Sequence, residues 1–197
     1  MNYITDVLYW ITTGLLVPVI VFLLFFLVRS LIMVGGFYGQ YISRGKVNVK
    51  IRKQLDEKNV DEFLADISSS EEKGNELSAF LKRIPKYRTS APGLDRLVGD
   101  YEIIADKELG KSKLLVKIGP MLGLMGTLIP MGPALVGLAT GDISSMASNM
   151  QVAFATTVVG LIIGAVGFIT LQVKQRWYAA DLNVLGYVVE SLKEEIK

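Results

Sequence analysis

Three long stretches of this sequence contain no charged residue, and they constrain the fold more than any other feature. They cover residues 7–28, 118–141 and 143–173. Each exceeds the roughly 20 apolar residues that a helix needs to cross a hydrocarbon layer about 30 Å thick. At 51% hydrophobic residues, the chain is also too apolar for an ordinary soluble domain. The sequence therefore predicts an all-α integral membrane protein with three transmembrane helices.

The first charge-free stretch could also be a cleaved signal peptide. Such a peptide carries positive charge before its apolar region. Here Asp6 precedes the stretch and Arg29 follows it. This order of charges favours a transmembrane helix that stays in the protein.

The distribution of lysine and arginine predicts the orientation in the membrane. Of the 21 basic residues, 17 lie between the first and second stretches and 4 follow the third. Cytoplasmic segments are enriched in Lys and Arg. We therefore expect an external N-terminus, a short external hairpin at residues 139–144 and a cytoplasmic C-terminus.

Four regions follow from this topology. Residues 1–35 are predicted to hold a lipid-facing first helix, whose "VIVFLLFFLV" is bulky all round, and residues 36–117 a cytoplasmic helical region. Residues 118–173 are predicted to hold the second and third membrane helices, the pore-forming core, and residues 174–197 a cytoplasmic C-terminal helix. Long cytoplasmic helical extensions are thus part of the predicted fold.

Two apolar stripes at helical spacing support these extensions, and each predicts packing on a neighbouring helix. The first stripe is predicted to lie on one long helix that runs from about Gly93 into the second membrane helix, because no strong turn signal interrupts it. Aromatic residues near the ends of the first and third stretches suit the headgroup levels, as anchors. The stripes are Leu94, Leu97, Tyr101 and Ile104, and Leu182, Leu185, Val189, Leu192 and Ile196; the aromatic residues are Tyr9, Trp10, Trp177 and Tyr178.

Composition excludes several kinds of chemistry. The chain has no cysteine and no histidine, which rules out disulfides, Cys/His metal sites and Ser-His or Cys-His nucleophile pairs. No phosphate-binding glycine loop is present. The cytoplasmic charges are of mixed sign, which is typical of a solvated surface and not of a nucleic-acid interface. We predict no enzymatic activity, no cofactor and no bound metal.

The second and third membrane helices each carry a face of small residues at spacings of three and four. Helices in a bilayer associate by close packing, and small faces allow their backbones to approach. Because such faces should find no partner within a single three-helix chain, we expect the chain to form a closed ring. The faces comprise Gly123, Thr127, Pro130, Ala134 and Gly137, and Ala153, Thr157, Gly160, Gly164 and Gly167.

The hydroxyls of Thr127, Thr156 and Thr157 are the notable polar groups at membrane depth. One interpretation is that they line an ion pathway, together with Pro130. The alternative is that each threonine only donates to a carbonyl one turn back and that the proline is a tolerated kink. Neither helix contains Asp, Glu, Lys or Arg, so the chain alone has no titratable group there to relay a proton.

The motifs "GPMLGLMGTL" in the second helix and "AFATTVVGLIIGAV" in the third, with the three-helix topology, resemble the MotA/TolQ/ExbB proton-channel family, nearest its TolQ/ExbB branch. The resemblance runs from about Ala91 to the end and is best over residues 118–170. It implies a multi-pass protein of the plasma (inner) membrane that forms a pentamer around a pore. It also implies a single-helix partner of the ExbD/TolR/MotB type that carries the ionisable aspartate.

By this resemblance Thr127 and Thr157 match the pore threonines of the family's second and third helices. The sequence departs from the ExbB pattern at Val152, where that protein has a glutamate, and at Pro130 and Pro133. These departures leave open the branch and whether the coupling ion is a proton or sodium.

The predicted function is that of an ion channel or motor subunit, which converts a transmembrane ion gradient into mechanical work with its aspartate-bearing partner. The alternative is a non-conducting oligomeric membrane scaffold. A substrate transporter would need inverted repeats and broken helices, which three helices do not supply.

Overall fold

A computed structural model describes residues 2–57, 59–69 and 76–196 of the chain. Among these residues the secondary structure is helical, with no strand. The helices are α1 (Asn2–Gly14), α2 (Leu16–Glu57), α3 (Val60–Ser69), α4 (Glu76–Leu81), α5 (Ala91–Thr140) and α6 (Ile143–Ile196), with a short 3₁₀ turn at Ile84–Tyr87. This confirms the all-α class.

Three helical segments are long and apolar enough to cross a membrane, which confirms that prediction. They are Val7–Ile42, Ala91–Thr140 and Ile143–Ile196. The helix expected to begin near Gly93 begins at Ala91 and continues unbroken to Thr140. The third charge-free stretch likewise lies inside one helix that extends to Ile196.

The boundary between α1 and α2 at Leu15 is a consequence of Pro18. Proline has no N–H, so the carbonyl of Gly14 loses its helical donor. Helical hydrogen bonds continue on both sides, since the Leu15 N–H donates to the Ile11 carbonyl and the Val19 N–H to the Leu15 carbonyl, both at 3.1 Å. The first apolar segment therefore remains helical through this point.

The chain divides into two compact units, and α2, α5 and α6 contribute a segment to each. The first unit consists of Met1–Gly35 and Lys111–Leu171. Its core is small: Val19 and Leu23 of α2 pack with Leu115 of α5 and Ile163 of α6. Most other apolar side chains of α2 in this unit are exposed, so α2 presents only one narrow face to the other two helices.

The second unit consists of Gly36–Gly110 and Gln172–Lys197 and contains the larger core. Both predicted stripes enter it: Leu94, Leu97 and Tyr101 are buried, as are Leu185, Val189 and Leu192. Ile196, the last member of the second stripe, is exposed instead. Phe63, Leu77, Leu81 and Ile84 are also fully buried in this core.

A tight turn joins α5 to α6 within the predicted hairpin at residues 139–144. Gly141 has φ +76°, a conformation that favours glycine. The Asp142 N–H donates to the Gly137 carbonyl at 2.8 Å, and the Asp142 carboxylate accepts the Ser145 N–H at 3.0 Å. Asp142 thus caps the N-terminus of α6.

Candidate functional site

The candidate site is built on the contact between α5 and α6, where glycines bring the two backbones together. A Cβ atom added at Gly160 would lie 2.6 Å from the Gly119 carbonyl oxygen and 2.7 Å from the Gly123 Cα. A Cβ at Gly119 would lie 2.8 Å from the Gly164 backbone nitrogen. Such distances are too short for any side chain, so these positions require glycine for close helix packing.

The same pattern continues in both directions along the pair. A Cβ at Gly167 would lie 2.8 Å from the backbone nitrogen of Val116, and a Cβ at Gly137 would lie 3.2 Å from the Met146 nitrogen. Ala134 and Ala153 are both buried. Apart from Thr127 and Thr157, every residue of the two predicted small faces is therefore enclosed in the first unit.

The expectation that these small faces find no partner within one chain is wrong. The turn at Gly141 folds α6 back along α5, which places one stripe of small residues against the other. Gly123 and Gly160 therefore pack against each other inside the chain. The glycine faces give no reason for a ring, and a ring has to be supported by other observations.

The three threonines lie in two different environments. Thr156 is buried, and a Cβ added at Gly126 would lie 2.5 Å from its hydroxyl oxygen, so it faces α5 directly. Thr127 and Thr157 are half-buried. The structure thus puts Thr156 in the helix contact and leaves the other two at its margin.

Each threonine hydroxyl donates to a carbonyl of its own helix. Thr127 donates to Leu124 at 2.7 Å, and Thr157 donates to Ala153 at 3.2 Å. Thr156 lies 3.0 Å and 2.9 Å from the carbonyls of Val152 and Ala153. These are the bonds expected under the alternative interpretation, in which each threonine only donates to a carbonyl one turn back. They use the hydroxyl's one proton, so Thr127 and Thr157 can offer only oxygen lone pairs to a further group.

Three prolines lie inside α5, at Pro120, Pro130 and Pro133. Each removes one N–H, so the carbonyls of Val116, Gly126 and Ile129 lose their ordinary helical donors. Pro120 also packs on α6, because a Cβ at Gly164 would lie 2.9 Å from its Cγ. Pro130 is buried with the small face, and Pro133 is half-buried.

Titratable groups are absent from the membrane part of the pair. Between Lys117 and Lys174 the only charged residue is Asp142, in the turn. Among the described residues no cluster of acidic side chains could hold a metal ion. The contact can pack helices and present lone pairs, but by itself it cannot bind and release a proton.

A second polar group, not anticipated from the sequence, lies where α2, α5 and α6 meet in the first unit. The hydroxyls of Ser112 and Thr170 are 3.2 Å apart and lie 3.7 Å and 3.6 Å from the sulfur of Met33. Thr170 also donates to the carbonyls of Val166 and Gly167. Both hydroxyl residues are buried, so this cluster fixes the lateral position of the three helices.

The second unit contains a buried ion pair that the sequence did not reveal. The Arg44 guanidinium lies 2.7 Å from the Asp181 carboxylate, and the Tyr101 hydroxyl donates to the same carboxylate oxygen at 2.7 Å. Arg44 also reaches Glu76 at 3.5 Å, and the Tyr178 hydroxyl donates to Glu76 at 3.1 Å. One arginine thereby connects α2 with α4, α5 and α6.

Aromatic rings surround this arginine. Its guanidinium lies 4.9 Å from the centre of the Tyr178 ring and 5.6 Å from that of Trp177, which stacks on Phe37. Burial alone lowers the pKa of Arg44, but the charge of Asp181 and its neighbours raises it, and the net shift is upward. Tyr178 is buried and hydrogen-bonded here, so its predicted role as a headgroup anchor is wrong.

Three apolar helices of spanning length and a glycine-packed pair without internal charge define a multi-pass helical membrane protein. The sequence model of the MotA/TolQ/ExbB proton channel family matches residues 100–183, which include the glycine-packed part of the α5–α6 contact. The match does not distinguish the TolQ/ExbB branch from the rest of that family. No curated protein and no solved structure matches the chain.

Proposed function

We propose that the protein is the ion-conducting subunit of a membrane motor and that the ion is a proton. The observation that carries this proposal is the match of a proton channel family to residues 100–183. That range contains the glycine-packed pair, both half-buried threonines and the turn that joins the helices. The proposal therefore assigns conduction to α5 and α6.

Conduction requires several copies of the chain, because one pair of helices in contact along its length encloses no channel. Both helices leave large apolar side chains exposed, including Leu124, Leu128 and Leu135 of α5 and Phe154 and Leu161 of α6. Copies of the hairpin arranged around an axis would cover part of this surface and enclose a pore. Five copies is the number implied by the family resemblance.

A partner has to supply the group that carries the proton, since α5 and α6 have no charged residue inside the bilayer. A single-helix protein of the ExbD/TolR/MotB type with a membrane aspartate would do so. The hydroxyls of Thr127 and Thr157 donate hydrogen bonds to carbonyls of the preceding helical turn. They would therefore act as acceptors for the O–H of the protonated aspartate or for water. Their proposed role is to hold the protonated form of the partner.

The driving force follows from the proposed orientation in the plasma (inner) membrane, with the N-terminus and the α5–α6 turn outside and the C-terminus in the cytoplasm. One elementary charge moved across the membrane releases about 2.3 kcal/mol per 100 mV. Several ions passing in sequence could therefore move the partner helix stepwise.

Replacing Thr127 and Thr157 together by valine tests this function. Valine keeps the shape of threonine and removes the hydroxyl. We expect the oligomer to persist and ion flux to fall, because each lost hydrogen bond is worth on the order of 1 kcal/mol. Proton flux into proteoliposomes that contain the chain and its partner would measure this, with oligomer mass determined in parallel.

Thr140→Val provides the matched control. Thr140 also donates to carbonyls of its own helix, at 3.0 Å and 3.1 Å, but it is the last residue of α5. Its substitution should leave the flux unchanged. Full flux in the Thr127→Val, Thr157→Val variant with an intact oligomer would favour a non-conducting scaffold. In a scaffold, Thr127, Thr156 and Thr157 would need no partner beyond the carbonyls of their own helices to which they donate.

A further inference from the structure

A cleft opens between α1 and α5 within the first unit. Its volume is about 170 Å³, and its lining is Tyr9, Thr12, Thr13, Leu128, Ile129, Gly132 and Pro133. These residues lie in two of the segments that are apolar enough to cross a membrane. The cleft thus extends inward from the level of Tyr9, for which a headgroup position is predicted, and its contents are either lipid or water.

One hydroxyl of the lining has no hydrogen-bonding partner in the described part of the chain, and one carbonyl has lost its usual helical donor. The Thr12 hydroxyl donates to the carbonyls of Leu8 and Tyr9, at 2.8 Å and 3.0 Å, but the Thr13 hydroxyl makes no such bond. Pro133 has no N–H, so the carbonyl of Ile129 lacks its helical donor. The phenol of Tyr9 adds a third polar group to the lining.

Hydrocarbon cannot form hydrogen bonds with these groups. A polar group left without a partner inside a bilayer costs several kcal/mol, and carbonyls freed by proline in membrane helices are commonly satisfied by side chains or ordered water. A water molecule occupies about 30 Å³ in the liquid and needs two to four polar partners. The space and the polar groups both suit a small number of waters.

We propose that this cleft is a hydration site, where water bridges the Thr13 hydroxyl, the Tyr9 phenol and the Ile129 carbonyl. It makes the proline segment of α5 accessible to water on one side. Thr127 lies on the other side of α5, since an α-helix turns by about 100° per residue and the lining residues are centred roughly opposite it. The hydration site is therefore separate from the proposed ion pathway and does not depend on it.

Single cysteines test the proposal, because the natural chain has none. In the Gly132→Cys variant the new Cβ lies 4.0 Å from the Tyr9 ring, so the side chain fits into the cleft. The reagent is a trimethylammonium methanethiosulfonate, a permanently charged thiol reagent that requires water. The full-length protein is reconstituted in phospholipid vesicles with the reagent on both sides, so that orientation does not affect the result.

Ile11→Cys is the control. Ile11 lies between Tyr9 and Thr12 in α1, at the level of the cleft, but its side chain is exposed on the outer surface of the unit. We expect complete modification of the Gly132→Cys variant and none of the Ile11→Cys variant. Adding Pro133→Ala to Gly132→Cys restores an N–H donor for the Ile129 carbonyl and should slow the modification.

Two results would overturn the proposal. If Gly132→Cys reacts only with a small uncharged maleimide, hydrocarbon fills the cleft. If Ile11→Cys reacts as fast as Gly132→Cys, water reaches this whole level of the protein and the cleft has no special role. Should Gly132→Cys fail to fold, Thr13→Cys replaces a hydroxyl by a thiol of similar size and is judged by the same two results.

Discussion

Arg44 and Asp181, 137 positions apart in the chain, form a buried ion pair at 2.7 Å that joins α2 to α6. Tyr101 donates to the same carboxylate, and the rings of Tyr178 and Trp177 lie beside the guanidinium. Both charged side chains are almost fully enclosed. A buried charge that loses its partner is costly, so the pair holds these helices in one arrangement.

Removing the acid of this pair should therefore destabilise the second unit. In Asp181→Asn the Arg44 charge loses its main partner while remaining enclosed, and we expect a loss of about 3–5 kcal/mol. Thermal unfolding in detergent, followed by circular dichroism, measures it. Arg88→Ala is the control: Arg88 pairs with Asp61 and Glu195 on the surface, where solvent screens the charges, and its loss should barely change unfolding.

The same pair predicts how stability depends on pH. Burial lowers the pKa of Arg44, but the charges around it, Asp181 above all, raise the folded pKa above the ordinary value of an arginine. The stabilisation is therefore fully present below that ordinary value and is lost only at higher pH. The protein should keep its unfolding temperature at moderately alkaline pH. In Arg44→Lys the charge belongs to a lysine, whose ordinary pKa is about 10.4. That variant should lose stability at lower pH than the natural protein, and unfolding curves that shift together would contradict the pairing.

The backbone contact between α5 and α6 can be tested at Gly160. An alanine Cβ there would lie 2.6 Å from the Gly119 carbonyl oxygen, so α5 and α6 must separate to admit it. We expect Gly160→Ala to cost about 1–3 kcal/mol, visible as a lower melting temperature and reduced yield. Gly14→Ala, where no atom lies within 4 Å, should have little effect. Equal losses at both positions would mean that helix propensity, and not packing, explains the change.

Gly126 and Thr156 should show compensation. A Cβ at Gly126 would lie 2.6 Å from the Thr156 Cβ, so Gly126→Ala and the natural threonine cannot both be accommodated. Thr156→Gly removes the obstruction, and the double variant should be more stable than the sum of the single effects predicts. A double-mutant cycle of unfolding free energies measures this coupling, which should be about 0.5–3 kcal/mol. Additive effects would show that the two residues do not touch.

The hydroxyl cluster of the first unit gives a further prediction. Thr170→Val leaves the buried Ser112 hydroxyl without its nearest oxygen, 3.2 Å away, and should cost about 1–3 kcal/mol. Adding Ser112→Ala removes the second polar group as well, so the double variant should lose less than the two single losses combined. Melting temperatures of the three variants decide this, and a double variant as unstable as their sum would exclude direct contact.

Helical spacing and charge-free length made the fold largely predictable. The stripes through Leu97 and Val189 identified the buried faces of α5 and α6, because burial in helices follows a period of 3.6 residues. The glycines of both membrane helices were recognised as packing positions, but their partner was assigned to other chains. A small face can pack on the neighbouring helix of the same chain or on a helix of another copy. The turn geometry at Gly141 decides between them, and the spacing of the small residues does not predict that geometry.

The ion pair of Arg44 and Asp181 could not be found in this way. Each residue belongs to a segment of mixed charge, where solvated side chains are the rule. Their pairing depends on how α2 and α6 are placed in three dimensions, and no local pattern records it. The apolar neighbours of Asp181, Leu182 and Leu185, were a faint signal, since they place the carboxylate beside a buried stripe.

The two-residue turn between α5 and α6 has a consequence for how the protein is made. Contacts near it, such as Gly137 with Met146, close very short loops, and those further away, such as Gly119 with Gly164, close progressively longer ones. Short loops cost the least entropy to close, and each closed contact shortens the effective loop of the next. The hairpin can therefore zip up from Gly141 as soon as both helices have left the ribosome. During biosynthesis α5 and α6 can therefore pair within one chain before any other copy of the chain is met.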